Sequence, residues 1–217
     1  MIDPSAALEK YRKFVEVNQR YRAAIILDYL PFARYRVYDR WKPTRVKVLF
    51  LAESPPWDES MYFYNEKQEG GLSRTLFHYL GIDKVTKREK LLEFKKRGLF
   101  LIDTVKCIFR KNLRKKIPNK LIRFSAQEIL GEEIETLKPS SICVLGETAL
   151  RGLKYTNRFS QGLSTYDLIT DACGKSVIAG NLKVVLSVFP NARNRQFEGM
   201  IGLAIRKIRN TEPTLGT

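Results

Sequence analysis

The chain has 217 residues, of which 44% are hydrophobic and 11% aromatic, and its 39 basic side chains outnumber 23 acidic ones to give a formal net charge of +16. This length and apolar content allow a sizeable core, which excludes an intrinsically disordered chain and a small disulfide-stapled scaffold. The three cysteines, Cys107, Cys143 and Cys173, are odd in number and widely spaced, which excludes a paired-cysteine metal knuckle and fits a reducing compartment.

A long N-terminal helix is the first predicted element. Apolar and aromatic side chains recur at helical spacing over residues 5–30, and the pattern ends before Pro31. We expect this helix to belong to a helical extension, residues 1–45, that packs on the rest of a single domain spanning residues 1–217.

Four short apolar runs are predicted to be strands. Each is nearly continuous and rich in β-branched and aromatic residues, which is typical of strands buried on both faces of a parallel sheet. Their ranges are 46–52, 98–105, 140–146 and 182–188.

Helical patterns separate these strands, and the second of them opens with a capping box made by Thr86 and Glu89. Residues 155–181 lack a clear period, so we expect a loop or a small hairpin there. The alternation predicts an α/β fold, a three-layer α/β/α sandwich with a mainly parallel four-stranded sheet. The helical ranges are 72–80, 86–96, 121–137, 147–153 and 196–208.

Ligands bind such sheets at the carboxyl ends of the strands, so the residues that follow each strand are the functional candidates. After the first strand come Glu53, Pro55, Pro56 and Trp57. Successive prolines make a rigid turn and Trp57 offers a flat apolar surface, which together suit a base pocket. A stiff surface turn with incidental acids is the alternative.

The second strand leads from Asp103 into the densest basic stretch, which has six basic residues among eleven and no acidic one. A phosphate backbone is the partner such a stretch would suit. Its cations are Lys106, Arg110, Lys111, Arg114, Lys115 and Lys116.

The third and fourth strands are followed by segments that could contact anions. Residues 146–148 start a helix at once and could present backbone N–H groups to an anion. Residues 189–195 combine a proline, two asparagines and two arginines, which suits a loop that grips phosphates. The polar first turn of a surface helix is the alternative for this last segment.

Several enzyme classes are disfavoured because their motifs do not occur. The sequence has no P-loop, no dinucleotide glycine fingerprint, no Ser-His-Asp set and no zinc-binding spacing, and we expect no bound metal. The single histidine, His78, lies in a helical stretch away from every strand end and is more typical of a packing residue than of a catalyst.

The charge predicts a nucleic-acid partner. An isoelectric point of about 9.8 without a low-complexity tail indicates that the positive excess is spread over a folded surface. A solvated, ion-paired surface is the alternative. No apolar run approaches the ~20 residues of a membrane span and no signal-peptide core is visible, so we expect a cytoplasmic protein that does not bind membranes. No sequence feature indicates the oligomeric state, and a monomer is the default expectation.

The four strand ends, in this order, resemble motifs of the uracil-DNA glycosylase superfamily, most closely the thermostable iron-sulfur branch called family 4. The sequence VLFLAESPP is similar to a strand followed by Gly-Glu-Ala-Pro-Gly, which places Glu53 and Pro55 at the family's glutamate and proline. FLIDTVKC resembles the strand that ends in Thr-Asn-Val-Val-Lys-Cys, which places Asp103 at the base-reading asparagine. The segments 139–153 and 184–195 resemble the two later motifs.

The chain departs from these motifs at several positions. Ala52 and Pro56 replace glycines, and Phe189 replaces the histidine that in relatives hydrogen-bonds the departing base. Cys107 matches one cluster ligand, but three cysteines cannot supply four thiolates, so no iron-sulfur cluster and no other cofactor is expected. Ionised aspartate only accepts hydrogen bonds, so Asp103 either carries a proton or faces a base with donor groups, and strict uracil specificity is not implied.

The resemblance implies a DNA-repair glycosylase that acts on duplex or single-stranded DNA, extrudes a deaminated or damaged nucleotide and hydrolyses its N-glycosidic bond. Two other functions stay open: a catalytically inactive nucleic-acid-binding module of the same fold, and a protein that binds a nucleotide or small anion at residues 146–148. The implied roles are catalysis by Glu53, Asp103 and Asn191, base contact by Pro55, Trp57 and Tyr62, and DNA contact by Arg193, Arg195 and the basic stretch.

Overall fold

A computed structural model describes residues 2–110, 116–156, 173–179 and 181–189, together with the single residues 159, 163, 199 and 202. Its main sheet has five strands in the order β3-β2-β5-β7-β6. The bounds of these strands are β2 Val48–Ala52, β3 Leu99–Asp103, β5 Ser141–Leu145, β6 Ser176–Ala179 and β7 Leu182–Ser187.

The four strands expected from the sequence are present and parallel, but the sheet has five strands rather than four. The extra strand, β6, pairs antiparallel with β7 at the sheet edge, from Ser176 opposite Val185 to Ala179 opposite Leu182. β6 has an apolar run of only three residues, shorter than the runs that mark doubly buried strands, and its first three residues are exposed or half-exposed. Within residues 155–181, β6 thus forms one strand of a hairpin whose other strand is β7, while most of residues 157–172 lie outside the described residues.

Helices connect the parallel strands and complete an α/β sandwich. Between β2 and β3 lie α3 and α4, and the capping box of Thr86 and Glu89 opens α4 as predicted. The helical run between β3 and β5 is α5 and α6 joined by a π-helical turn, Ala126–Leu130. The bounds are α3 Gly71–Leu80, α4 Lys87–Lys96, α5 Asn119–Ser125, α6 Gly131–Leu137 and α7 Glu147–Tyr155. The expected helix 196–208 lies largely outside the described residues.

The N-terminal extension is not one long helix. Helix α1, Pro4–Val17, ends where the Asn18 side chain donates to the carbonyl of Phe14 at 2.7 Å, and a 3₁₀-helix, Gln19–Ala24, follows. Three short elements complete the extension: β1 Ile25–Ile26, α2 Pro31–Arg34 and a π-helical turn Val37–Trp41. The apolar spacing continued through these elements, which is why the sequence pattern overestimated the helix.

Aromatic side chains dominate the core on the face covered by α3 and α4. The Phe63 ring lies 5.4 Å from that of Phe77 and 5.3 Å from that of Phe94, and Phe94 lies 5.7 Å from Phe50 in β2. Every residue of β2, β3 and β5 is buried, as the doubly buried pattern predicted. Within the described part of the chain, no helix has the length and apolar character needed to cross a membrane.

Candidate active site

Two carboxyl groups lie near each other where the neighbouring strands β2 and β3 end. In the parallel β2–β3 pair Ala52 lies opposite Asp103, so Glu53 follows β2 directly beside Asp103. Two backbone bonds hold the following loops together, from Thr104 N to Ala52 O at 2.9 Å and from Val105 N to Glu53 O at 3.0 Å. The strand register therefore fixes the spacing of Glu53 and Asp103.

A residue that follows β5 holds the Glu53 side chain in place. The Thr148 hydroxyl, in the first turn of α7, donates to Glu53 Oε1 at 2.9 Å. Gly146 permits this sharp turn from β5 into α7 because its φ of 91° lies in a region that side chains disfavour. With the Glu53 carboxylate this close, an added anion at residues 146–148 would meet like charge, which disfavours the small-anion function.

Asp103 lies in a dry environment, with 7% of its surface exposed. Burial raises the pKa of its carboxyl to about 7, the Lys106 ammonium opposes this rise, and the Glu53 charge adds to it. Lys106 Nζ donates to the Asp103 backbone carbonyl at 2.5 Å. Burial also lowers the pKa of the Lys106 ammonium to about 7, so the Asp103 carboxyl and the Lys106 amine titrate together.

A small pocket opens beside Asp103. Pro55 and Tyr62 line it from the loop after β2, and Tyr38 lines it from the N-terminal extension. It holds about 10 Å³ of free space, room for about one water molecule, so in this conformation it is closed to a base. The Tyr62 ring is 3% exposed and lies 5.1 Å from that of Tyr35.

A comparison with protein-family models shows to which superfamily the chain belongs. The model of the uracil DNA glycosylase superfamily matches residues 39–210, which is most of the chain. The chain belongs to this superfamily. No curated protein is similar enough to it to count as a match.

Two of the expected site residues of this superfamily member do not lie where the sequence predicted. Lys106 was expected on the DNA-facing surface, but it is 3% exposed and forms an ion pair with Glu133, so it is not part of a phosphate-binding surface. Trp57 was expected at the base pocket, but it is 71% exposed and does not line the pocket. Trp57 follows the two-proline turn and faces solvent, whereas Tyr62 lines the pocket.

Only part of the expected DNA-binding set can be located. Arg110 and Lys116, two members of the basic stretch, are both exposed. Phe189, at the position of the relatives' histidine, is half-buried and packs its Cβ near Gly146. The remaining expected residues, which lie outside the described residues, are Lys111, Arg114, Lys115, Asn191, Arg193 and Arg195.

Sequence reasoning named residues 146–148 for their backbone N–H groups but missed the role of the Thr148 hydroxyl, and it missed Tyr38 and Glu133 as site residues. A signal for Glu133 was available, because Leu130, Glu133, Ile134 and Leu137 fall at the spacing of one helix face. A glutamate on an apolar face is typical of a buried, paired carboxylate. No residue spacing indicates Thr148 or Tyr38, because their partners are 95 residues away along the chain.

No metal centre is found in residues 2–110, 116–156 and the shorter described segments, where no three His, Cys, Asp or Glu side chains are grouped to hold an ion. Burial raises the pKa of the Cys107 and Cys143 thiols well above the usual range. Neutral thiols of this kind are poor metal ligands.

Proposed function

We propose that the protein is a DNA glycosylase that hydrolyses the N-glycosidic bond of a deaminated or damaged base. One observation carries the proposal: Glu53, fixed by Thr148, lies beside the buried Asp103 at adjacent strand ends of a uracil-DNA-glycosylase fold. A glycosylase needs a fixed carboxylate at the sugar and a directional reader at the base, and these two residues supply both groups.

Glu53 would act on the sugar side of the bond. As the base departs, positive charge develops on the sugar, and a carboxylate held in place stabilises it without reorganisation. The same carboxylate can orient or deprotonate the attacking water. The 2.9 Å bond from Thr148 limits the rotation of the Glu53 side chain, which favours both tasks.

Asp103 would read the base edge. A neutral carboxyl donates from its hydroxyl and accepts at its carbonyl, so it can pair with a uracil carbonyl and the N3–H, as an asparagine does. The ionised form only accepts, and it suits a base that presents an amino group or a purine N1–H. Because the pKa of Asp103 is raised to about 7, the base preference should change with pH across neutrality.

The remaining contacts follow from position and chemistry. Tyr62 and Pro55 would form the wall against the extruded base, and Trp57 has no assigned contact with the base. Asn191 would donate to the departing base. Arg110 and Lys116, with the arginines and lysines of the two loops, would bind flanking phosphates.

The test is a cleavage panel on labelled oligonucleotides, single- and double-stranded, carrying uracil, hypoxanthine, xanthine or no lesion. Base loss is read as strand scission after alkali. We expect excision of at least one lesion and its loss by ~100-fold or more in Glu53→Ala, because electrostatic stabilisation of this kind contributes several kcal/mol. Asp58→Ala, which removes another acid from the same loop, is the control and should retain excision.

A catalytically inactive DNA-binding module is the second candidate, and Phe189 favours it. An apolar ring stands where relatives place the histidine that assists the departing base, and a ring without a donor cannot take that role. Salt-dependent binding of all oligonucleotides with no scission in any arm would favour this candidate and contradict the glycosylase.

A further inference from the structure

The N-terminal segment, residues 2–38, precedes the region matched by the family model, yet it contacts the chain that follows β3. Strand β1 pairs antiparallel with β4, Ile108–Phe109. Closer to the candidate site, the hydroxyl of Tyr11 in α1 accepts a hydrogen bond from Lys106 N at 2.8 Å. The segment therefore contacts both the loop between β3 and β4, residues 104–107, and the strand that ends this loop.

Two hydroxyl groups, those of Tyr11 and Ser125, form a hydroxyl pair beside this loop. The Ser125 hydroxyl donates to the Thr104 carbonyl at 2.6 Å, and the two hydroxyl oxygens of the pair lie 2.7 Å apart. Because Ser125 has one hydroxyl hydrogen and uses it on Thr104, Tyr11 is the donor of the bond between the two hydroxyls. All three side chains are fully buried, so bulk water does not reach these bonds.

The same loop is also bonded to the end of β2. Thr104 N donates to the Ala52 carbonyl at 2.9 Å, and Val105 N donates to the Glu53 carbonyl at 3.0 Å. These backbone groups differ from those that the hydroxyl pair occupies, so the loop is held both by β2 and by the hydroxyl pair. One of the bonds to β2 lies on Glu53 itself, the residue whose carboxylate would act at the sugar.

Both hydroxyls are directed at the loop rather than at the helices that carry them. A helical serine commonly donates to the carbonyl four residues earlier in its own helix, but Ser125, the last residue of α5, donates to the loop. The π-helical turn Ala126–Leu130 follows at once, and such turns are frequent at functional sites. The Tyr11 ring packs edge-on against the Phe124 ring at 5.5 Å, so the ring supplies the packing and the hydroxyl bonds to the loop.

We propose that Tyr11 and Ser125 are positioning residues that hold the loop after β3 against the end of β2 and so preserve the spacing of Glu53 and Asp103. This inference rests on the proposed function for its consequence in catalysis, because rates are sensitive to displacements of about 1 Å between reacting groups. Its physical core, that the hydroxyl pair keeps the loop bonded to β2, does not depend on catalysis.

The first test is hydrogen exchange of the Val105 amide, measured by NMR. This amide donates to Glu53 and not to the hydroxyl pair, so its protection reports whether the loop stays on β2. Tyr11→Phe keeps the ring and removes its hydroxyl, and Ser125→Ala leaves the Thr104 carbonyl without its donor. We expect the protection of the Val105 amide to fall by about tenfold in each variant, the effect of losing one hydrogen bond that holds the loop.

Two references separate this effect from a general loss of stability. The Leu101 amide, which donates to the Tyr64 hydroxyl at 2.9 Å, should keep its protection in both variants. The matched control is Ser141→Ala, which also removes a buried serine hydroxyl that donates to a carbonyl, that of Lys47 at 3.4 Å. Ser141 begins β5 at the amino edge of the sheet, so this control should leave the Val105 amide unchanged.

The second test is steady-state excision of a lesion that the wild type accepts. We expect kcat to fall by about tenfold in Tyr11→Phe and in Ser125→Ala with KM unchanged, since both substitutions move the reacting groups and neither alters a cation that would bind DNA. The double variant should lose little more than either single variant, because the two hydroxyls act through one network. Ser141→Ala should retain the wild-type kcat.

The outcomes separate this proposal from the proposed function. Unchanged Val105 protection in folded Tyr11→Phe and Ser125→Ala, or an equal loss in Ser141→Ala, overturns the proposal. An unchanged kcat in variants whose Val105 amide exchanges faster overturns the positioning role. Absence of all excision from a wild type whose Val105 amide still loses protection in Tyr11→Phe contradicts the proposed function alone.

Discussion

A single substitution within the superfamily's base-reading motif changes the chemistry of this site. The resemblance places Asp103 where relatives carry an asparagine, and an amide donates and accepts at every pH. A carboxyl does both only while it is protonated, and burial makes this possible near neutrality by raising the pKa of Asp103 to about 7. If Asp103 reads the base as proposed, the exchange of an amide for a carboxyl makes base recognition dependent on pH.

Asp103→Asn should convert this pH-dependent reader into a constant one. At pH 8 most Asp103 side chains are ionised and repel a uracil carbonyl, so we expect the substitution to raise uracil excision at pH 8 by about tenfold, the proportion expected one pH unit above the midpoint. At pH 5.5 the two proteins should differ little. The measurement is single-turnover excision across pH 5.5–8.5. Parallel pH profiles for the two proteins would contradict a role of Asp103 ionisation in uracil excision.

The same substitution should alter the pH dependence of stability. A buried acid whose pKa rises on folding from about 4 to about 7 binds a proton more tightly in the folded state, so its contribution to stability is present below pH 4 and is lost as the pH rises to about 7. Asp103→Asn removes this loss. We expect its melting temperature to exceed that of the wild type at pH 7.5 by several degrees and by less at pH 4.5, measured by calorimetry in matched salt.

At the scale of elements, the loop that follows β3, beginning at Thr104, is held against α7 by a close approach of two small residues. A Cβ placed on Gly152 would overlap Thr104 Cγ2. Thr104 is fully buried and its hydroxyl donates to the Ala52 carbonyl at 2.7 Å, so it has little room to move. Gly152 therefore allows α7 to hold the loop next to Asp103.

Gly152→Ala should destabilise the fold by ~1–3 kcal/mol, the usual cost of overpacking, although alanine is the better helix former. Thr104→Ser removes the overlapping methyl group and keeps the hydroxyl, so the double variant should recover most of the loss. Gly131→Ala is the control, because its Cβ would meet only ordinary contacts at 3.6 Å or more. Urea unfolding of the four proteins measures these effects, and equal stability for Gly152→Ala and the wild type would contradict this account.

Whether an element could be predicted from the sequence depended on how far its residues are exposed to solvent. Strands β2, β3, β5 and β7 were predicted because parallel strands buried on both faces leave continuous apolar runs. The half-exposed edge strand β6 leaves no such run, and the 3₁₀ and π-helical turns of the extension share the apolar spacing of an α-helix. The positions of Glu53 and Asp103 followed from the strand-end rule. The burial of Lys106 could not be predicted from the sequence. Lys106 differs from the other cations of the basic stretch only in its ion-pair partner, Glu133, which is distant in the sequence.

At the scale of the molecule, the candidate site and the start of the basic stretch both follow strand ends of a chain with a large positive charge. The carboxyl ends of the strands carry Glu53 and Asp103, and the basic stretch begins a few residues beyond β3. A net charge of +16 accelerates encounter with any polyanion, whichever end meets it. Which cations touch phosphate is a separate question that the salt dependence of binding answers.

Cations beside the strand ends should contribute to this salt dependence, and cations at the opposite edge should not. Each phosphate contact releases counterions and adds ~0.9 to the slope of log K against log salt on duplex DNA. We expect Arg110→Gln with Lys116→Gln to lower the slope by about two and to weaken binding uniformly across sequences. The matched control is Arg45→Gln with Lys138→Gln, two exposed cations that precede β2 and β5 at the amino edge of the sheet. It removes the same charge and should leave the slope within error. Fluorescence anisotropy with an undamaged duplex between 50 and 200 mM salt measures both variants, and equal losses in the two pairs would indicate that net charge alone governs binding.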